Sequence, residues 1–145
     1  DEIKKHKIDP KRLTFEVTET AFLRDFVAAR TSIRYLRDHG ARIALDDFGI
    51  GYSSLRYVHE LEFDTLKVDR SFVAPLPINE RSRRIVKTMI DMCANLDIEC
   101  VIEGIETELQ RNALHALGGR LMQGYLFARP TREAMLSPLA EIIKP

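Results

Sequence analysis

Short apolar runs alternate with longer amphipathic stretches along the chain, and this alternation is the strongest constraint on its fold. The short runs predict strands because they are brief and rich in β-branched and other apolar residues. They lie at Leu13–Thr18, Arg42–Asp46, Thr65–Asp69, Cys100–Glu103 and Leu121–Tyr125. The longer stretches predict helices near Asp25–His39, Ser53–Leu61, Arg81–Asp97, Glu106–Leu117 and Arg132–Ile143. Alternation of this kind indicates a parallel sheet in the α/β class.

Two architectures are compatible with this pattern, an open doubly wound sheet and part of a (β/α)8 barrel. The chain contains neither GxGxxG nor GxxxxGK[ST], so the nucleotide-binding forms of the open sheet lose support. The length of 145 residues suits one domain and allows a core of useful size.

Charge and cysteine content limit the class of partner and the compartment. The formal net charge is zero, so we expect no nucleic acid polymer as a partner. Cys93 and Cys100 form no CxxC or Cys/His metal spacing, and we expect buried thiols in a reducing compartment. The sequence has no signal peptide and no apolar run long enough to span a bilayer. We therefore expect a cytoplasmic segment without membrane contact. This expectation is compatible with a membrane anchor elsewhere in a longer parent protein.

Polar side chains enter the predicted strands at their C-terminal ends. Side chains alternate across a strand, so Asp46 shares a face with Ala44 and lies opposite Leu45. The other strands show the same parity. In a barrel, the inward face at the C-terminal ends of the strands is the floor of the active site. The barrel hypothesis therefore predicts that five side chains lie together at the C-terminal end of the barrel, namely Glu16, Asp46, Lys67, Glu103 and Gln123.

Carboxylates gathered at one mouth repel one another, and bound cations relieve that repulsion. Asp47 adds a further acid, and such oxygen ligands favour Mg²⁺, Mn²⁺ or Ca²⁺ over zinc. Two such ions support in-line displacement at phosphorus, and Lys67 beside them would orient the attacking water or take its proton. A single acid after a strand more often caps a helix or faces solvent. Lys67 alone would fit a structural ion pair, but five coincident strand ends favour a shared site.

A glycine-rich segment directly follows the two aspartates. Gly49 and Gly51 allow close backbone approach to a ligand. The segment leads into a predicted helix N-terminus, which suits phosphate. Tyr52 and Ser53 are therefore candidate substrate-binding residues.

Five motifs follow one another along the chain. They are Glu16-Val17-Thr18-Glu19, Asp46-Asp47-Phe48-Gly49 with Gly51-Tyr52-Ser53-Ser54-Leu55, Leu66-Lys67-Val68-Asp69-Arg70, Glu103-Gly104-Ile105-Glu106-Thr107 and Gln123-Gly124-Tyr125. In kind and order they resemble the motifs of EAL domains, which are bacterial phosphodiesterases of cyclic di-GMP. The resemblance covers nearly the whole chain. It implies an α/β fold that is a partial (β/α)8 TIM-like barrel, with about five parallel strands and their helices.

The resemblance also implies an activity and the residues that carry it. The activity is hydrolysis of one phosphodiester bond of cyclic di-GMP to the linear dinucleotide. The cofactor is Mg²⁺ or Mn²⁺, with two ions in the complete site, whereas Ca²⁺ usually inhibits. The metal-binding acids of the family match Glu16, Asp46, Asp47 and Glu103.

Five further roles are implied in the same way. Lys67 matches the lysine that positions or deprotonates the water, and Glu19 matches the residue that holds the Asp46–Leu55 loop in place. With Glu103 these are the candidate catalytic residues. Asp69 matches an acid at the rim of the site, while Gln123 and Glu106 match supporting residues. Asp69 and Gln123 are also candidate contacts of the substrate.

One departure from the family concerns the start of the domain. The chain contains no Glu-Ala-Leu motif and no early strand with a metal-binding asparagine. An EAL domain needs roughly 240 residues, so we expect residues 1–145 to be its C-terminal part. Five barrel strands leave two unpaired edges, so we expect a homo-oligomer or a longer multidomain protein, and weak hydrolysis by the fragment alone. The alternative is a catalytically inactive EAL module that binds cyclic di-GMP or a protein partner.

Overall fold

The computed structural model describes residues 2–50 and 54–131 and contains one parallel sheet. Its five strands stand in chain order, each hydrogen-bonded to the next. They are β1 (Thr14–Thr18), β2 (Arg42–Phe48), β3 (Thr65–Val68), β4 (Glu99–Ile102) and β5 (Leu121–Met122). An open doubly wound sheet reverses its strand order at a switch point. The unbroken order seen here is that of neighbouring strands in a (β/α)8 barrel.

Helices connect the strands and cover one face of the sheet. Their bounds are α1 (Glu2–Lys5), α2 (Glu19–Arg24), α3 (Phe26–Asp38), α4 (Ser54–Glu60), α5 (Arg70–Val73), α6 (Glu80–Asn95) and α7 (Glu108–Ala116), with a 3₁₀ turn at Pro10–Arg12. Ile33, Val86 and Leu114 are the most buried residues of α3, α6 and α7, and they pack in the core with the outward side chains of the sheet. Within the described part of the chain, no helix is both long enough and apolar enough to span a membrane.

The helix-facing side of the sheet is fully apolar. Ile43, Leu45, Leu66, Val68 and Ile102 are all buried, with no measurable exposure. They alternate along their strands with the side chains that form the opposite face, as the period of two requires. The parity expected from the sequence is therefore confirmed in β2, β3 and β4.

Several element boundaries differ from the sequence expectation. The predicted strand Thr65–Asp69 ends at Val68, because the Asp69 carboxylate instead accepts a hydrogen bond from Ser71 N at 2.8 Å and caps α5. The predicted strand Leu121–Tyr125 is only two residues long, so Gln123 lies just beyond it. The short helices α2 and α5 were not expected.

Other boundaries follow from local capping. Asp25 belongs to the cap of α3 and not to the helix, since its carboxylate accepts from Ala28 N at 2.9 Å. Thr107 and Gln110 form a capping box that begins α7 two residues later than expected. The predicted helix Arg132–Ile143 lies outside the described residues.

Candidate active site

The Lys67 ammonium is the centre of the candidate site. Its Nζ lies 2.8 Å from Glu103 Oε1, 2.9 Å from Glu16 Oε1 and 3.3 Å from Asp46 Oδ1. Glu16 lies on β1, Asp46 lies on β2 and Glu103 directly follows β4, while Lys67 is on β3 between them. Four predicted site residues therefore meet at one end of the sheet, on the face opposite the helices.

Strand register explains why these side chains meet. Thr18 pairs with Asp46, so Glu16 lies two residues below the end of the β1–β2 ladder and its longer side chain reaches upward. Lys67 pairs with Val101, which places Glu103 two residues further along and on the same face. The meeting of the charges is thus a consequence of parallel pairing with alternating side chains.

Asp47 joins this cluster through an irregularity in β2. Consecutive residues of a regular strand face opposite sides, but the β2–β3 register shifts between Leu45 and Phe48. Asp47 has a φ of 57°, a left-handed conformation, and its N–H donates to Asp46 Oδ1 at 3.0 Å. Burial raises the pKa of Asp47, and so does the negative charge of Asp46 and Asp69, while Lys67 partly offsets this. The bulge therefore places two successive carboxylates at the site.

Lys67 is held in its charged form by the acids around it. Its side chain is 9% exposed, and burial alone would lower the pKa of the ammonium. Hydrogen bonds to Glu103 and Glu16 outweigh that effect and hold the pKa above its ordinary value, with the charge of Asp46 adding to them. In this arrangement the Lys67 ammonium is a hydrogen-bond donor to the acids.

A groove of about 320 Å³ opens beside the Lys67 cluster. Four predicted site residues line it, namely Asp69, Glu103, Glu106 and Gln123. Arg70 and Tyr125 line it as well, although their motifs alone suggested no role for them. Asp69 also lies here because it caps α5. Burial alone would raise its pKa, but hydrogen bonds from Ser71 lower the pKa below the ordinary value.

Two glycines allow the segments that form the walls of this groove to pack closely together. Gly104 has a φ of 74°, and a Cβ at that position would overlap the Arg70 side chain. A Cβ on Gly124 would overlap the Ile105 backbone, where Ile105 N–H donates to Gln123 O at 3.1 Å. The sequence contains a signal for these close approaches, because each glycine directly follows a candidate site residue.

The remaining predicted residues are placed less completely. Glu19 begins α2 and is 4% exposed, but its predicted hold on the Asp46–Leu55 loop stays a prediction. The Glu106 side chain is exposed, and its N–H donates to Gln110 Oε1 at 2.8 Å at the start of α7. Tyr52 and Ser53 lie outside the described residues.

The donor set has the chemistry of a site for hard cations. Glu16, Asp46, Asp47 and Glu103 supply only carboxylate oxygens, the ligands that Mg²⁺ and Mn²⁺ prefer. Over residues 2–50 and 54–131, no three acidic, histidine or cysteine side chains are arranged around a common metal position. The acids converge on Lys67 Nζ instead, so in this arrangement the ammonium provides the neutralising charge.

Comparison with known proteins identifies the family. The family model of the EAL domain matches residues 1–130. The chain belongs to the EAL domain family. It is 41% identical over 124 residues to the cyclic di-GMP phosphodiesterase NbdA of Pseudomonas aeruginosa, an alignment that covers 86% of this chain and 16% of NbdA.

Solved EAL structures share the fold. The EAL domain of Mycobacterium smegmatis DcpA superposes with a TM-score of 0.87 at 35% identity, covering 99% of this chain and 65% of that one. BlrP1 of Klebsiella pneumoniae, solved as a manganese and cyclic di-GMP complex, gives a TM-score of 0.83 at 36% identity, covering 88% of this chain and 33% of that one. The expected TIM-barrel class is therefore confirmed.

This EAL segment is short beside its relatives. It spans about a fifth or less of the first four curated relatives it matches. BlrP1 has also been solved as a calcium and cyclic di-GMP complex, so divalent cations occur together with cyclic di-GMP in a similar protein.

Proposed function

We propose that residues 1–145 form the C-terminal part of the catalytic domain of a cyclic di-GMP phosphodiesterase. The proposed reaction is hydrolysis of one phosphodiester bond, which gives the linear dinucleotide. The observation that carries the proposal is the convergence of Glu16, Asp46 and Glu103 on Lys67 Nζ. The match to named cyclic di-GMP phosphodiesterases supports the choice of substrate.

Charge balance supports a requirement for divalent cations. Four carboxylates, those of Glu16, Asp46, Asp47 and Glu103, face one ammonium, that of Lys67. A phosphodiester is itself an anion and would be repelled by such a site. In our proposal these four acids hold two Mg²⁺ or Mn²⁺ ions, which supply charge neutralisation and a lowered pKa for water.

Lys67 positions the attacking water in this proposal. Its Nζ has three N–H donors and is buried against Glu103 and Asp46. Three acids share these donors in the metal-free arrangement. When the acids bind cations, a donor that they release would hydrogen-bond the water and fix its direction toward phosphorus. Without metal ions the surrounding acids keep Lys67 protonated, and in that form the ammonium would orient the water.

In this proposal the adjoining groove binds the cyclic di-GMP substrate. Gln123 and Asp69 line it together with Arg70, so the groove offers hydrogen-bond donors, acceptors and a positive charge. Arg70 can bind phosphate in a forked geometry, and Gln123 can pair with the edge of a base. Glu106 stands at the outer wall as a supporting residue. Tyr52 and Ser53, which follow Asp47 in the sequence, are proposed contacts of the substrate.

We further propose that this EAL segment works inside a longer protein or an oligomer. Curated relatives such as NbdA are several times longer than the part that matches. β1 and β5 each pair with one strand only in the described sheet, and unpaired edges favour association.

Product formation in the presence of Mn²⁺ separates hydrolysis from simple binding. The protein that carries this chain is incubated with cyclic di-GMP and Mn²⁺, and the linear dinucleotide is quantified by chromatography. Asp47→Asn is the test variant and Arg42→Met, at the opposite end of β2, is the matched control. We expect product from the wild type and the control, and at least a 100-fold loss (an order-of-magnitude figure) in Asp47→Asn. Binding of cyclic di-GMP without product in Mn²⁺ would favour the inactive module instead.

A further inference from the structure

The two cysteines of the chain lie side by side on the helix-covered face of the sheet. Cys93 is in the last turn of α6 and is 1% exposed, while Cys100 is on β4 and is half-buried. The two thiols are close enough to shift each other's pKa. The chain turns back sharply between them, and Ile98 N–H donates to Cys93 O at 2.9 Å. The short α6–β4 connection therefore keeps the two cysteines near each other.

Cys100 can be reached from solvent through a groove that both cysteines line. An open groove of about 820 Å³ runs between α6, β4 and the end of α7, and both Cys93 and Cys100 line it. A buried cysteine is usually inert because reagents cannot reach it. Here a small polar oxidant would meet the half-buried Cys100 first and would find Cys93 directly behind it.

Exposure distinguishes an attacking from a resolving group, because Cys100 is half-buried and Cys93 is 1% exposed. The interaction with Cys93 also lowers the pKa of the Cys100 thiol, against the opposing effect of burial. The same interaction, together with burial, raises the pKa of Cys93. The thiolate is the reactive form of cysteine, so Cys100 is the group that reacts first.

From this geometry we propose that Cys93 and Cys100 form a reversible disulfide when the protein meets a peroxide. The Cys100 thiol releases its proton, the thiolate attacks one peroxide oxygen and the O–O bond breaks. Cys100 becomes a sulfenic acid, and the other oxygen leaves as hydroxide, which takes up the released proton to form water. Cys93 sulfur then attacks the Cys100 sulfur, the S–O bond breaks, and the released hydroxide takes the Cys93 proton. Two thiols are oxidised, one peroxide is reduced, and two waters form. The bond would fasten α6 to the strand that precedes Glu103.

Peptide mapping tests the proposal directly. Lys87 and Arg111 flank both cysteines, so trypsin releases them in one peptide, residues 88–111. After brief treatment of the folded chain with hydrogen peroxide and alkylation, we expect this peptide to weigh less than the reduced, unalkylated peptide by two hydrogen atoms. Cleavage at Asp97, between the cysteines, should leave two fragments joined until a reductant is added.

Single substitutions identify the attacking sulfur. In Cys93→Ser, Cys100 should stop at the sulfenic acid and be trapped by dimedone, whereas Cys100→Ser should react far more slowly. Dimedone labelling at Cys93 in Cys100→Ser as fast as at Cys100 in Cys93→Ser would overturn the assigned order. Two alkylated thiols, sulfinic acids or disulfides between chains in the treated wild type would overturn the proposal. This wild-type result decides the matter even where a variant fails to fold.

Discussion

Lys67 Nζ and Glu103 Oε1 form an ion pair of 2.8 Å between neighbouring strands at the buried centre of the charged face. The Glu103 side chain is only 21% exposed, and that of Lys67 is 9% exposed. Ion pairs this well shielded are less screened by solvent than surface pairs. Because Glu16 and Asp46 share the same ammonium, Lys67 connects four successive strands through one side chain.

Removal of this ammonium should destabilise the fold. Lys67→Met keeps much of the side-chain volume but leaves the three carboxylates to repel one another. We expect the free energy of unfolding in urea, measured in EDTA, to fall by about 1–3 kcal/mol at neutral pH. Arg42→Met removes a more exposed pair with Glu99, which is 2.6 Å long, and should cost about 1 kcal/mol or less. Equal losses in the two variants would contradict a central role for Lys67 in the cluster.

Asp47 should make the metal-free protein less stable than it would be with a neutral residue. Burial and the charges of Asp46 and Asp69 raise the folded-state pKa of Asp47. For an acid with a raised pKa, stability falls as pH rises from the unfolded value of about 3.9 through the folded value, and the loss persists at neutral pH. Asp47→Asn, which tolerates the positive φ, should therefore raise the unfolding free energy at pH 7 in EDTA. The gain should shrink toward about pH 4, and a gain independent of pH would count against this explanation.

Asp69 should titrate in the opposite direction. Burial alone would raise its pKa, but hydrogen bonds from Ser71 and the charge of Arg70 lower it. Its contribution to stability is therefore present above the unfolded pKa of about 3.9 and is lost as pH falls through the folded pKa. Carboxyl-carbon NMR should show an Asp69 midpoint below that of Asp47 in the same metal-free sample. The reverse order of midpoints would refute both assignments.

Gly104 should be far less replaceable than a second glycine with a similar backbone. Gly104 and Gly118 have φ values of 74° and 90°, so alanine strains both backbones. A Cβ at Gly118 meets nothing within 4 Å, whereas one at Gly104 overlaps Arg70. Thermal and urea unfolding should give a loss of about 1 kcal/mol for Gly118→Ala. Gly104→Ala should lose about 1–3 kcal/mol more, because the wall of the groove must move. Equal losses would mean that Arg70 shifts at no cost.

Strand parity made the convergence of Glu16, Asp46, Lys67 and Glu103 predictable. That inference needs only the period of two along each strand and a common direction for all strands. The period of two follows from the apolar runs and their polar ends. The common direction follows from the alternation of strands and helices along the chain. The structure brings these four side chains together, while their chemical roles stay proposals.

Features that depend on contacts between distant segments were not predictable in this way. The direction of Asp47 depends on a register shift between β2 and β3, which no periodicity in β2 reveals. The groove contacts of Arg70 and Tyr125 depend on how closely the chain packs at Gly104 and Gly124. Asp69 was expected to be the last residue of β3. Its carboxylate instead accepts a hydrogen bond from Ser71 N, and this cap replaces continued strand pairing.

The most direct test of the central claim is product formation by matched variants of the charged face. The protein that carries this chain is supplied with cyclic di-GMP and Mn²⁺, and the initial rate of linear dinucleotide release is measured for the wild type, Lys67→Met and Arg42→Met. Circular dichroism first establishes that each variant is folded at the assay temperature. We predict wild-type rates for Arg42→Met and a loss on the order of 100-fold or more for Lys67→Met. A folded Lys67→Met variant that releases the linear dinucleotide at the wild-type rate would contradict the account.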